Sequence, residues 1–397
     1  MRYFLQSVVL RMHNQHNIIF TILFFFSFFA YVPGEMKMLQ YVTIVILLFH
    51  VLIKGSFPLR KFRKLNTALF VFLSIVLISG IVGDIKYGHY AWHVNVTSSI
   101  LFVFQVLTLF GHVEYVISKN LQTIFIKQLI QILGLFLIIN DLHIFLNIKN
   151  IYDVPDNLFF LGSKFGVSYS HLLFCALLFT YNTFSMIWKI VLLLFCAFIS
   201  KIVFCSTGLI GSFSFIVLYL FEKIGGKLLY KRFVFLMSII ASVCFSFVII
   251  LIMSSPWFLS FMEMLGESSI LTGRTNIYIH LADIISASPF FGYGNGNSQM
   301  YVIYYTDVGN AQNGILADIV DWGIIGTISF LSIPYGLLKK TKYSRYSYPL
   351  LCLLYTYIIV GMVEITMGVR FIAALSLFLL PSVYFVDDRQ FKRHKIF

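Results

Sequence analysis

One stretch of the chain, residues 271–328, concentrates side chains that could bind an anion or accept a proton. Gly273 and Arg274 stand at the predicted start of an amphipathic helix, where the helix N-terminus and the guanidinium both favour an anion. Asp318 and Asp321 follow one turn apart in an apolar run, where each carboxylate costs about 2.5–3.5 kcal/mol on insertion scales. Such residues usually face a bundle interior or an aqueous cavity. We therefore expect the two aspartates to line a site.

Between these groups lies a glycine-rich segment, FGYGNGN, which contains Gly292, Gly294 and Gly296. The glycines either form a structural turn or offer backbone N–H groups to a bound anion. Gln312 and Asn313 then place two amides at the start of the following apolar run. We take Gly292, Gly294 and both amides as candidate substrate-binding residues.

Other basic residues could complete an anion site. Arg370, in the sequence GVRF, either binds an anion or extends to the membrane surface. Lys164 and Lys201 could assist it, whereas Arg274 could instead pair with an acidic neighbour such as Asp283. No Asp-x-Asp sequence occurs on the predicted outer side, so we expect neither a metal site nor another cofactor.

The elements that position these residues follow from composition. Hydrophobic residues make up 59% of the 397 residues and charged residues 11%, whereas soluble domains are about a quarter charged. Mean hydropathy is +0.89. Together these values exclude a soluble globular protein. We expect an all-α, polytopic membrane protein with twelve spans, at residues 17–33, 38–54, 67–84, 96–117, 122–140, 167–182, 184–200, 203–221, 233–254, 312–337, 347–363 and 367–386.

The net charge of +13 sets orientation and does not indicate nucleic acid. On alternate sides of the twelve spans, the connecting segments and termini carry twenty lysines and arginines against seven. The richer side should be cytoplasmic, with both termini on it. The chain is expected to be one membrane domain, 1–397, and its longest external segment, 255–311, lies between the ninth and tenth spans.

The long external segment has an internal pattern. Ile277, Leu281, Ile284 and Ile285 recur at helical spacing, with Asp283 turned elsewhere. Such a helix would lie on the membrane surface or pack over the bundle. No internal repeat relates the two halves of the chain, which argues against a transporter built from paired halves.

The order of these features resembles one bacterial superfamily. Gly-Arg, an amphipathic helix, Pro-x-x-Gly-x-Gly, an asparagine at a helix start, an acidic residue and Gly-Ile-x-Gly are similar to the O-antigen ligases and Wzy-type polymerases. The resemblance covers about 60 residues of motif and the topology of the whole chain. It implies a GT-C-like membrane glycosyltransferase that acts outside the cytoplasmic membrane, without a metal, on glycans carried by undecaprenyl diphosphate.

The resemblance also implies roles and partners. Arg274 and Arg370 would hold the diphosphate leaving group, and Asp318 or Asp321 would orient or deprotonate the acceptor hydroxyl. Partners would be the lipid-linked oligosaccharide, the bilayer, and a chain-length regulator and flippase of the same pathway. The product would be O-antigen or capsular polysaccharide.

Two departures bear on the choice within the superfamily. Gln312-Asn313 stands where ligases carry His-Asn, and glutamine cannot act as a general base. The sequence CSTG, residues 205–208, lacks the arginine that relatives often show after serine. We therefore favour a polymerase of lipid-linked repeat units. The alternatives are a ligase that transfers glycan to lipid A-core, and a flippase or transporter of the lipid-linked glycan.

Overall fold

The computed structural model is helical throughout the residues it describes, without a β-strand among them. These residues are 18–30, 37–54, 63–146, 159–181, 184–252, 270–306 and 311–384. In chain order the helices are α1 Ile18–Phe28, α2 Lys37–Ile53, α3 Arg63–Tyr87, α4 Thr97–Ser118, α5 Gln122–Leu146, α6 Lys164–Tyr181, α7 Met186–Ile202, α8 Ser206–Leu220, α9 Arg232–Ile252, α10 Ile270–Ala287, α11 Ser298–Thr306, α12 Gly314–Lys340, α13 Tyr348–Val360 and α14 Val369–Tyr384. Two short turns, Glu222–Gly225 and Gly226–Tyr230, follow α8.

Each of the twelve predicted spans coincides with one helix, because an apolar run forms a helix to bond its backbone internally. Within the described ranges, four helical segments are long and apolar enough to cross a membrane: Leu65–Tyr87, Thr97–Ser118, Gln122–Leu146 and Gly314–Lys340. The bent pair of Ser206–Leu220 and Glu222–Tyr230 would make a fifth. The fold is thus all-α with membrane-compatible helices.

The most buried helices mark the centre of the bundle. All residues of α13 except Ile359 are buried, and so are residues 371–380 of α14. The outside of the bundle, by contrast, exposes large apolar side chains, for example Met38, Ile53 and Leu146. An apolar surface of this extent suits lipid and would be costly in water.

Segments that the alternation of spans assigns to one side lie together at one end of the bundle. Val94 N donates to Asn297 Oδ1 at 2.6 Å, joining two segments predicted to be external. The Tyr230 and Ser347 hydroxyls are 2.7 Å apart and join two segments predicted to be cytoplasmic. We call the end that holds Val94 and Asn297 the predicted outer end.

The long segment between α9 and α12 contains two helices, α10 and α11, while residues 253–269 and 307–310 lie outside the described residues. Helix α10 begins at Ile270, before the predicted start at Gly273. Its buried face includes Ile277, Leu281 and Ile284, as the helical spacing predicts. This face packs over the bundle, against α12.

Candidate functional site

A break in α12 organises the predicted outer end. The backbone of Gly323 is not helical (φ 69°, ψ 179°), so nearby N–H and C=O groups lose their helical partners. In a membrane such groups must bond to other protein groups. The glycine-rich turn, residues 289–297, provides partners for both kinds of group. Two of its N–H groups donate to α12, Tyr293 N to Val320 O (2.9 Å) and Gly294 N to Asp321 O (2.9 Å). Two of its carbonyls accept from α12, Pro289 O from Ile324 N (2.8 Å) and Phe290 O from Ile325 N (3.3 Å).

Close approach of this turn to α12 explains its glycines. Gly292 has a positive φ of 67°, and a Cβ there would lie 2.5 Å from Val320 O and 2.6 Å from Gly323 N. Gly294 also has a positive φ, of 98°, and its N–H is the donor to Asp321 O. Both residues therefore have a structural function here, and their binding of substrate stays a prediction.

The side chain of Tyr293, in the middle of the turn, also binds the turn to α10. Burial raises the pKa of the Tyr293 hydroxyl, which therefore stays neutral. It donates a 2.7 Å hydrogen bond to the carbonyl of Ile284 in α10. The amphipathic helix and the broken helix are thus joined through one turn.

Asp321 holds the start of α11. Its Oδ1 accepts a hydrogen bond from Ser298 N at 2.6 Å, and the backbone of Gly296 and Asn297 lies beside the same carboxylate. Consecutive N–H groups of this kind form a nest for an anion. In this protein the anion in the nest is the carboxylate of Asp321.

Asp318, one turn earlier, has a different environment. Its side chain is buried, with 4% of its surface exposed, and Oδ2 has no hydrogen-bond partner in the described part of the chain. Native proteins seldom leave a buried carboxylate oxygen unpaired, because its desolvation is costly. Asp318 is therefore a buried carboxylate of the cavity lining with hydrogen-bonding capacity that the described residues leave unfilled.

Both aspartates line a cavity of about 420 Å³, which we call the acidic cavity. It opens among the first turns of α2, α4 and α14, the glycine-rich turn and α12. Its lining residues are Tyr41, Val94, Thr97, Ser98, Leu101, Phe102, Gln105, Asn295, Gly296, Ser298, Ala317, Asp318, Asp321, Trp322, Ile365, Gly368 and Val369.

A second cavity, of about 350 Å³, has the opposite character, and we call it the basic cavity. It is lined by Phe28, Phe29, Ala30, Lys37, Gln40, Leu161, Ser163, Gly166, Tyr169, Ser170, Leu173, Tyr357 and Arg370. Two of these residues, Lys37 and Arg370, are cationic, and this described lining contains no carboxylate. Lys37 and Arg370 each lie in the first turn of a helix, where the dipole adds positive potential.

Arg370 is the central cation of this site. Its Cζ lies 5.4 Å from the centroid of the Tyr169 ring, a cation–π distance that orients the guanidinium. Within the described ranges it forms no ion pair with a carboxylate, since both ion pairs there join a histidine to an aspartate. Its side chain is exposed to the cavity. The guanidinium is therefore available to an external anion.

The two cavities are adjacent. In α2, Gln40 lines the basic cavity and its neighbour Tyr41 lines the acidic cavity. In α14, Arg370 lines the basic cavity and its neighbour Val369 lines the acidic cavity. The first turns of α2 and α14 thus form a common wall. A molecule bound to Arg370 and another bound near Asp318 would lie on opposite sides of this wall.

The amides at the start of α12 lie apart from both cavities. Asn313 is fully buried and caps the helix, accepting from Ile315 N and Leu316 N at 3.0 Å. Its Nδ2 donates to Ser242 O and Ser246 Oγ, so its polar atoms are satisfied within the protein. Gln312 has a positive φ of 50°, and its carbonyl accepts from the Tyr278 hydroxyl.

Two predicted basic residues, Lys164 and Lys201, line neither cavity, and the side chain of a third, Arg274, is outside the described part of the chain. The side chain of Arg274 lies outside the described residues, although its backbone belongs to α10. Lys164 lies beside the basic cavity but does not line it, and its Nζ is 5.5 Å from the Phe165 ring. Lys201 is exposed at the end of α7 and lines neither cavity.

Sequence reasoning missed several lining residues, including Lys37, Tyr169, Gln105 and Asn295. In the charge count, Lys37 was one of the seven basic residues on the predicted outer side, and nothing in the sequence indicated a binding role for it. Tyr169 follows Gly166 on one face of α6, but this spacing is equally typical of a core helix. Only the tertiary arrangement distinguishes these residues.

Comparisons with known proteins leave the site to be interpreted on its own geometry. No protein-family model, no curated protein and no solved structure matches this chain.

Proposed function

We propose that this protein is a bacterial membrane glycosyltransferase that polymerises undecaprenyl-diphosphate-linked oligosaccharide repeat units. The observation that carries the proposal is the adjacency of two cavities at one end of a helix bundle. Among the described residues, one cavity presents an arginine that has no carboxylate partner, and the other presents a buried carboxylate with an oxygen that has no hydrogen-bond partner.

The basic cavity suits the leaving group. A lipid diphosphate carries dense negative charge, and a guanidinium can bind phosphate oxygens through two parallel hydrogen bonds. Lys37 adds a second positive charge from the opposite helix, α2. Cations fixed where charge develops stabilise departure of the diphosphate without help from a metal.

The acidic cavity suits the attacking group. The acceptor hydroxyl oxygen forms a bond to C1 of the donor's reducing-end sugar while the C1–O bond to the diphosphate breaks. The hydroxyl proton passes to Asp318 Oδ2, and the bonding electrons leave with undecaprenyl diphosphate. Attack from the side of C1 opposite the leaving group inverts its configuration, so C1 of the donor must lie between the two adjacent cavities, with the acceptor on one side and the diphosphate on the other.

The membrane arrangement belongs to the same proposal. Twelve spans, both termini in the cytoplasm and a GT-C-like fold would place both cavities outside the cytoplasmic membrane. Four or five membrane-compatible helices support a membrane location, and the grouping of like-sided segments agrees with the alternation of the predicted spans. A flippase and a chain-length regulator would supply substrate and set product length.

Surface polysaccharide from a strain deleted for this gene tests the proposal. We expect a single repeat unit on the final acceptor and loss of the long ladder on a gel, both restored by the wild-type gene. A bare acceptor with long polymer on the lipid carrier would instead identify a ligase. An unchanged ladder would exclude both enzymes.

A further inference from the structure

The acidic cavity has a chemical selectivity that the basic cavity lacks. Its described polar lining combines the carboxylates of Asp318 and Asp321 with the neutral groups of Ser98, Gln105 and Asn295, and it contains no lysine or arginine. Two aromatic residues, Phe102 and Trp322, form part of its apolar wall. Hydroxyl and amide groups can bond here, whereas a bound negative charge would meet no cation among the described lining residues.

We infer that the acidic cavity binds the acceptor saccharide and that the sugar bound there is uncharged, a neutral hexose or an N-acetylated hexosamine. This inference rests on the proposed function, because it names the substrate class of one of the two subsites. It excludes uronic acids and other anionic sugars from the acceptor position.

The polar atoms of the cavity are already oriented for such a ligand. The Trp322 Nε1 donates to Asn295 Oδ1 at 3.1 Å, and the Asn295 Nδ2 lies 3.2 Å from Ser98 Oγ. These bonds fix the amide in the cavity wall. Asp318 Oδ2, which is buried and unpartnered, is then the strongest free acceptor for a sugar hydroxyl.

An anionic sugar would be rejected for two reasons. Its carboxylate would lose hydration on entry and gain no opposite charge in return, which is costly in a partly buried site. It would also approach Asp318 and Asp321, and like charges at short range disfavour ionisation of both partners. The basic cavity offers the reverse environment, so anions should be confined to it.

Ligand-observed NMR on the full-length protein in lipid nanodiscs tests this division. The probes are methyl glycosides of glucose, N-acetylglucosamine and glucuronic acid, measured by saturation transfer with wild type, Asp318→Ala, Arg370→Ala and the exposed control Asp283→Ala. We expect Asp318→Ala to reduce the signals of the two uncharged glycosides at least fivefold. Any glucuronide signal should survive Asp318→Ala and disappear in Arg370→Ala.

Two results would overturn the inference. One is a glucuronide signal that falls in Asp318→Ala as far as the uncharged glycosides do. The other is binding of uncharged glycosides that Asp318→Ala leaves unchanged. Either result, with the ladder still dependent on the gene, would remove the acceptor assignment and leave the polymerase standing. The expected binding pattern in a protein whose deletion leaves the ladder unchanged would refute the polymerase instead.

Discussion

Two aspartates one turn apart show how far environment decides the role of a residue. Asp321 accepts backbone hydrogen bonds at the start of α11, whereas Asp318 keeps an unpartnered oxygen in the same cavity. From the sequence alone the two aspartates could not be distinguished, because both are acidic residues in one apolar run. Partners from a turn more than twenty residues away bind the carboxylate of Asp321, whereas the described residues provide no hydrogen-bond partner for Asp318 Oδ2.

Replacing Asp318 tests the reactive role. Asp318→Asn keeps the size of the side chain but cannot accept a proton, and loss of a general base typically costs about 10²–10⁴-fold in rate. We expect the strain to retain the protein in its membrane and to lose the polysaccharide ladder on a gel. Asp283→Asn, on the exposed face of α10, should keep the ladder. A ladder of wild-type intensity in Asp318→Asn would contradict the role.

Replacing Asp321 tests the structural role. Asp321→Ala leaves buried backbone N–H groups at the start of α11 without their acceptor, and each hydrogen bond to a charged group contributes about 1.5–3 kcal/mol. We expect a clearly lower melting temperature of the detergent-purified protein. The matched surface change, Asp283→Ala, should leave it unaltered. Equal melting temperatures for Asp321→Ala and wild type would show that the nest does not stabilise the fold.

At the scale of elements, the break in α12 is the feature on which the site depends. It exposes two carbonyls that hold the glycine-rich turn, and this turn carries Asn295 to the acidic cavity. A continuous helix would satisfy its own backbone and leave the turn without partners.

Gly323 makes the break possible. Gly323→Ala places a Cβ against the backbone of Phe290 and forces a non-glycine residue to φ 69° and ψ 179°, a conformation that costs about 1–3 kcal/mol. We expect less folded protein in size-exclusion chromatography after detergent extraction. Gly368→Ala is the control, because its Cβ would meet nothing within 4 Å. Wild-type yield and elution for Gly323→Ala would contradict this account of the break.

The elements themselves could largely be predicted. The apolar runs correctly predicted a helix at each of the twelve predicted spans. The spacing of Ile277, Leu281 and Ile284 correctly predicted the buried face of α10. The break at Gly323 could not be predicted from the sequence, because the hydropathy of the chain remains high on both sides of it. The burial of Asn313 and Asp321 and their hydrogen-bond partners could not be predicted either, because the partners come from residues distant in sequence.

For the whole molecule, the central feature is the convergence of helix starts at one end of the bundle. α2 and α14 contribute cations to one cavity and a wall to the other, while α12 contributes the carboxylates. The alternation of the predicted spans indicated which ends of the helices share a side. It could not predict the cavities, which depend on how helices far apart in the chain pack together.

Reconstitution tests the central claim, that the basic cavity holds the diphosphate of a glycan donor. Lipid-linked repeat units extracted from the deletion strain are supplied to the purified protein in vesicles, and chain growth is followed together with release of undecaprenyl diphosphate. Wild type and the exposed control Lys86→Ala should produce a ladder and release the carrier, whereas Arg370→Ala should do neither while eluting as a folded protein. Chain growth by Arg370→Ala at the wild-type rate would contradict the claim.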